Sequence, residues 1–203
     1  MYEDKSATEL LKDFARRTNR TIEYSIQDHK ASVSFYPRQY NRWRVYVPNN
    51  QQQTSYYYAY SDTKETTEWR LYSGVFIPVG LPRSMTAMVR KKDILDLWNP
   101  FTRRKYHKTG VQRFDRQTVI TGNDAAQINR VFSRRHVQDL LLQAFDVDEG
   151  LRLVVNRGDL SYIPRMENQS HLGLVRTQMW ILDETIIEKL FGLMEKMRQL
   201  MMR

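Results

Sequence analysis

The feature of this sequence best suited to a chemical role is its clustered positive charge. The chain has 203 residues and a formal net charge of +9. The segment from Arg83 to Arg116, the basic segment, holds ten Lys or Arg residues and three Asp residues, a net charge of +7. Charge concentrated in this way predicts a surface that faces an anionic partner.

The basic segment also places aromatic residues among its cations. Cations with interleaved aromatic rings can neutralise phosphates and stack on bases, at about 1–3 kcal/mol per base. The same cations would suit anionic lipid headgroups, at about 1 kcal/mol per basic residue near a membrane. A third interpretation is a solvated loop whose aromatic residues anchor it to the core. The candidate anion-binding residues are Arg90, Lys91, Lys92, Arg103, Arg104, Lys105 and Lys108, and the candidate stacking residues are Trp98, Phe101 and Tyr106.

Motifs of known catalytic sites are absent from the sequence. The chain has no Cys, which excludes disulfides, thiolate metal sites and Cys nucleophiles. The four His residues (His29, His107, His136 and His171) are far apart, so the spacing of paired metal ligands does not occur. GxSxG, GxxxxGK[ST] and GxGxxG motifs are also missing. The sequence therefore predicts a protein that is not an enzyme and that uses no cofactor or metal.

The first eighty residues predict a helix followed by an antiparallel meander. Ser6 and Glu9 form a capping-box pattern at the start of a helix over Ala7–Arg17. Alternating apolar residues and an aromatic run then predict strands, with a turn at Asp28–Lys30. The predicted strands are Ile22–Ile26, Val33–Phe35, Trp43–Val47, Ser55–Ser61 and Glu68–Val79.

The rest of the chain predicts short elements and a long last helix. We expect strands at Thr86–Arg90 and Gln117–Thr121, helical turns at Asp93–Trp98, and helices at Asp124–Ser133 and Arg135–Phe145. A β-hairpin of Leu151–Asn156 and Asp159–Pro164 is expected across Arg157–Gly158, then an irregular stretch over His171–Leu182. The fold class is α+β: an antiparallel meander sheet preceded by an N-terminal helix, then helix, β-hairpin and amphipathic C-terminal helix. We expect one domain over 1–203, with subdivisions 1–82, 83–116 and 117–203.

The helix predicted after Asp183 has an apolar stripe with two interpretations. Its residues Leu190, Leu193, Met197 and Leu200 recur at helical spacing. The stripe could pair with a second copy as a short coiled coil and form a homodimer. Because about two heptads are marginal alone, packing on the sheet is the preferred interpretation.

Residues 109–165 contain the runs TGVQRFDRQTVITGNDAAQINRVFSRRHVQDLLLQ and LRLVVNRGDLSYIP. These runs resemble the soluble domain of a bacterial membrane-associated family, domain of unknown function 3137. In that family, a pattern matching Phe114, Asp115, Val119 and Asp124 precedes a helix, a hairpin and a C-terminal helix. Its members typically carry transmembrane helices ahead of this domain and have no established activity. The resemblance implies only that a basic face lies near a membrane.

Charge, motifs and resemblance together predict a non-enzymatic binding or scaffolding domain. We expect it in the cytoplasm, peripheral to or tethered at the inner membrane, because no apolar run is long enough to span a bilayer. The first twenty residues also lack the apolar stretch of a signal peptide. The alternative is a nucleic-acid-binding accessory protein that uses the basic segment.

Changing Arg103, Arg104 and Lys105 together to Gln tests the functional interpretations of the basic segment. Because three cations are lost from one short stretch, salt-dependent retention on anionic liposomes or on single-stranded DNA should be abolished. The thermal unfolding midpoint should stay unchanged. Global unfolding of the variant would show instead that these side chains are structural.

Overall fold

One antiparallel sheet and five helices make up the described part of the molecule. The computed structural model describes residues 6–30, 39–64, 66–94, 96 and 106–202. The helices are α1 (Ala7–Arg17), α2 (Gln112–Gln117), α3 (Ala125–Phe132), α4 (Arg135–Val147) and α5 (Glu184–Met201). The strands are β1 (Glu23–Lys30), β2 (Gln39–Pro48), β3 (Tyr56–Asp62), β4 (Leu71–Val79), β5 (Ala87–Lys91), β6 (Thr118–Gly122), β7 (Arg152–Val155) and β8 (Ser170–Thr177). The sheet order is β1-β2-β3-β4-β8-β7-β5-β6, which confirms the α+β class.

The first and last helices begin where their capping residues predict. Ser6 and Glu9 form the reciprocal capping box of α1, with the Glu9 carboxylate accepting from the Ser6 N–H at 2.8 Å. Asp183 caps α5 by accepting from the backbone N–H groups of Thr185 and Ile186. These side chains satisfy N–H groups that have no partner inside the helix, so both boundaries could be predicted locally.

The two faces of the sheet are covered differently. Helices α1, α3, α4 and α5 pack on one face, the helix face, and form the larger apolar core. The opposite face, the aromatic face, carries Tyr56, Tyr58, Tyr60, Tyr72 and Phe76. Residues 157–169, the covering segment, lie over part of it through the buried side chains Leu160, Ile163 and Met166. Successive residues of a strand point to opposite faces, so Tyr57 instead lies in the helix-face core.

The predicted turn at Asp28–Lys30 is wrong. The backbone of these residues continues β1, with Asp28 opposite Asn41 and Lys30 opposite Gln39 on β2. β1 is an edge strand, and even its Tyr24 and Ile26 side chains are exposed, so polar residues are tolerated there and resemble a turn in composition. The strand predicted at Val33–Phe35 lies outside the described residues.

The predicted hairpin across Arg157–Gly158 is also wrong. Strand β7 pairs with β5 and with β8, while Asp159–Pro164 forms turns. The backbone N–H groups of Ile163 and Met166 each donate to the carbonyl three residues earlier, so the apolar side chains recur every third residue. That spacing turns Leu160, Ile163 and Met166 toward the aromatic face. The stretch expected to be irregular contains β8 instead.

The apolar stripe of α5 packs within its own chain. Leu190, Leu193 and Met197 are buried in the helix-face core, and Leu200 is half-buried against it. Self-association through Leu190, Leu193 and Met197 would require side chains that the sheet already covers. Packing on the sheet, the preferred interpretation of the stripe, is the observed arrangement.

Leu190→Ala is expected to lower the free energy of unfolding by about 2–5 kcal/mol, because it leaves a cavity in the core. Urea unfolding followed by circular dichroism measures this loss. Ile94→Ala is the control, since Ile94 is 73% exposed. A loss for Leu190→Ala within about 0.5 kcal/mol, as for a surface position, would contradict the packing of α5.

Candidate functional site

Arg90, Lys91 and Lys92 form a basic triplet at the end of β5, which lies in the middle of the second half of the sheet, between β7 and β6. Arg90 lies directly opposite Arg152 of β7, on the aromatic-face side. Like charges in this position repel each other, and each is offset by its own carboxylate. Arg90 pairs with Asp96, and Arg152 pairs with Glu68 at 2.6 Å.

Asp96 is the acceptor at the centre of a small buried network. The Arg90 guanidinium donates to both of its carboxylate oxygens, at 2.6 and 2.7 Å. The Tyr106 hydroxyl donates at 2.7 Å and the Asp93 backbone N–H at 3.0 Å. The hydrogen bonds from Arg90 hold the pKa of Asp96 well below its usual range, although burial opposes this shift. Arg90 is therefore already paired, and the Tyr106 hydroxyl is held by Asp96.

The other two cations of the triplet are also engaged. Lys91 forms an ion pair with Glu149, and the Lys92 ammonium donates to the Asp115 carbonyl at 2.7 Å. The triplet lines a cleft of about 560 Å³ together with Ile94 and the turn at Glu149–Arg152. Anion binding by Arg90 and Lys91 would compete with their carboxylate partners, whereas Lys92 donates to a neutral carbonyl and keeps further N–H donors.

Helix α2 separates the charges of the basic segment. Phe114 is buried and anchors the helix. The half-buried Asp115 carboxylate accepts from the Thr109 backbone N–H and hydroxyl, both at 2.9 Å, and from the Gly110 N–H at 3.0 Å. This leaves Arg113 and Arg116 exposed. Neither forms an ion pair with a carboxylate of the described ranges.

Sequence reasoning missed the continuation of this surface onto α4. The Gln138 side-chain amide donates to the Thr109 hydroxyl at 3.1 Å and brings the loop beside the first turn of α4. Arg134 and Arg135 are exposed at the start of that helix, where the Arg134 guanidinium donates to the Leu200 carbonyl at 3.1 Å and the Arg135 guanidinium lies 4.0 Å from Asp139. Their adjacency at a helix start was the available signal, and the contact between Gln138 and Thr109 places that helix beside the loop that carries Lys108. We call Lys108, Arg113, Arg116, Arg134 and Arg135 the basic surface.

Two exposed apolar side chains lie in the same part of the chain. Ile94 is 73% exposed beside Lys92, and Val111 is 38% exposed at the start of α2. The predicted residues Trp98, Phe101, Arg103, Arg104 and Lys105 lie outside the described residues.

Two of the described histidine side chains, His107 and His171, lie within hydrogen-bond distance of a backbone carbonyl. His171 is buried, and burial lowers its pKa, while a ring nitrogen lies 3.1 Å from the Arg157 carbonyl. A ring nitrogen of His107 lies 3.2 Å from the Gly122 carbonyl. In the part of the chain that the structure describes, no three His, Asp or Glu side chains are placed to hold a metal ion.

Comparison with known proteins gives no relative for this arrangement. No protein-family model, no curated protein and no solved structure matches the chain. Among the described helices, none has the length and apolar character needed to cross a bilayer.

Asp96→Asn should lower the free energy of unfolding by about 1.5–3 kcal/mol at neutral pH, the usual contribution of a hydrogen bond to a charged partner. The pKa of Asp96 is lower in the folded than in the unfolded state, so its contribution is complete above the unfolded value. It should decline as the pH falls below about 4. Urea unfolding at about pH 7 and about pH 3 should show the wild-type advantage shrinking, and an unchanged difference would refute the ion pair.

Proposed function

We propose that this chain is a non-enzymatic binding domain that docks on an anionic membrane surface through the basic surface. The observation that carries the proposal is the charge separation at α2. Asp115 is half-buried and accepts three hydrogen bonds from Thr109 and Gly110, while Arg113 and Arg116 are exposed. The exposed charged side chains of α2 are therefore cations, which is what attraction to anionic headgroups requires.

Exposed apolar side chains beside these cations support a membrane rather than a nucleic acid. Val111 and Ile94 are exposed, and aliphatic side chains next to cations suit the boundary between headgroups and acyl chains. Nucleic acid binding by this segment would use exposed rings for stacking. Of the three candidate stacking residues, Tyr106 is the one that the structure describes, and it is half-buried with its hydroxyl bonded to Asp96.

The proposed location is the cytoplasmic surface of the bacterial inner membrane, as a peripheral or tethered domain. Anionic lipids at that surface attract clustered basic residues within about one Debye length, roughly 10 Å at 0.1 M salt. Scaffolding of a partner at the membrane would be the resulting role, with no reaction catalysed by the domain.

The double change Arg113→Gln and Arg116→Gln should weaken binding to vesicles of phosphatidylglycerol and phosphatidylcholine by about 10- to 30-fold, because each cation contributes about 1 kcal/mol. Co-sedimentation measures the bound fraction, which should also fall as salt is added. Vesicles of phosphatidylcholine alone should not retain the protein.

The matched control is Arg165→Gln with Lys189→Gln, which removes the same charge from two exposed positions outside the basic surface. It should bind as the wild type does. Equal weakening by both double changes would mean that net charge alone acts, and the proposal would fail. Retention on single-stranded DNA but not on vesicles would select the nucleic-acid alternative instead.

A further inference from the structure

The aromatic face contains a hollow that shares no residue with the basic surface. It has a volume of about 390 Å³ and lies between the 3₁₀ turn at Glu68–Arg70 and the start of the covering segment. Small-molecule sites commonly occupy about 300–1,000 Å³, so this hollow is large enough for one ring system. Its lining residues are Tyr60, Trp69, Tyr72, Arg157, Gly158 and Asp159.

Aromatic rings form one side of the hollow. Tyr60 and Tyr72 stack with centroids 5.1 Å apart and an interplanar angle of 27°. The Trp69 indole meets Tyr72 edge to face at 5.4 Å. Tyr60 and Tyr72 are buried, whereas Trp69 is only half-buried. The indole is therefore the ring of this cluster that an incoming planar group can contact most extensively.

The backbone of Arg157–Asp159, which we call the strap, forms the other side of the hollow and is fixed in place. Gly158 adopts a φ of +94°, and a Cβ there would lie 3.1 Å from the Tyr72 hydroxyl. That hydroxyl donates to the Asp159 carbonyl at 3.1 Å. One Asp159 carboxylate oxygen accepts from the Ser161 N–H at 3.0 Å and from its hydroxyl at 2.6 Å. These hydrogen bonds within the chain hold the strap in its conformation.

Arg157 and Asp159 line the hollow and carry one cationic and one anionic side chain. The neighbouring cations are already paired, Arg42 with Asp62 and Arg152 with Glu68. Arg157 and Asp159 form no ion pair with another residue of the described ranges. A ligand that used the ring and both charges would offer a flat ring, acceptors for a guanidinium and donors for a carboxylate.

We propose that this hollow binds a nucleobase, with guanine as the best fit. The base would stack on Trp69. The O6 and N7 atoms of guanine accept the two N–H groups of an arginine, and its amide and amino N–H groups suit a carboxylate. The base could belong to a free nucleotide or to a nucleic acid strand, and both sources present the same ring to the same residues.

Guanosine is the probe for calorimetric titration because it lacks a phosphate, so the basic surface contributes nothing to its binding. Wild-type protein should bind guanosine saturably. Trp69→Leu should weaken that binding by about tenfold or more, in line with the usual contribution of base–aromatic stacking. Asp159→Asn should also weaken it while preserving the side-chain oxygen that bonds to Ser161. Glu167→Gln, which removes an exposed carboxylate from the same covering segment, should leave it unchanged.

The two sources of the base are distinguished by a six-nucleotide single strand that contains one guanosine. Much tighter binding of the strand, with the advantage lost in the Arg113→Gln and Arg116→Gln protein, would identify a nucleic acid. Equal binding of strand and nucleoside would identify a free nucleotide. Absence of saturable guanosine binding at millimolar concentration would overturn the proposal, as would binding that survives both Trp69→Leu and Asp159→Asn. Should Trp69→Leu fail to fold, Asp159→Asn and Arg157→Gln decide the question.

Discussion

The antiparallel pairing of β4 with β8 is the interaction on which the rest of this structure depends. It joins strands almost a hundred residues apart and makes one sheet from two four-stranded halves. The register places Phe76 opposite Gly173, and a Cβ on Gly173 would lie 2.4 Å from the Phe76 ring. A side chain at Gly173 would therefore push that ring away from the strand. Because α5 follows β8 and packs back on the sheet, the helix-face core also depends on this pairing.

The same sheet explains why the net charge of a segment is a poor measure of the charge that the segment presents at the protein surface. The cations Arg90 and Lys91 lie on β5, and strand pairing brings Arg152 and its neighbours beside them. Carboxylates from distant parts of the chain, Glu68 and Glu149, then pair with Arg152 and Lys91. Outside the strands, at α2, the Asp115 carboxylate is instead bonded to the loop at Thr109 and Gly110. The charge that remains outward is therefore set by tertiary contacts as much as by composition.

Local signals predicted the parts of this fold that depend on local interactions. The caps Ser6 and Asp183 marked α1 and α5 because a cap acts within three residues. The hairpin prediction failed because Asp159–Pro164 has the composition of a strand, while its backbone forms successive turns that cover the aromatic face. For the site, clustering of cations was visible in the sequence, but the pairing of Arg90 with Asp96 and the link from Thr109 to α4 were not. Trp69 and Gly158 lie on opposite sides of the hollow, and their proximity could not be predicted without knowing the order of the strands.

A row of charges crosses the sheet between the two candidate surfaces. It runs from Asp96 through Arg90 and Arg152 to Glu68, and the two arginines lie side by side on neighbouring strands. Each carboxylate offsets a cation that would otherwise repel the next, so both ends of the row stabilise the same pair of strands. Asp96 belongs to the segment that leads toward α2, and Glu68 precedes Trp69 in the 3₁₀ turn. The ion pairs that neutralise the centre of the sheet therefore also position the segments that carry the basic surface and the aromatic hollow.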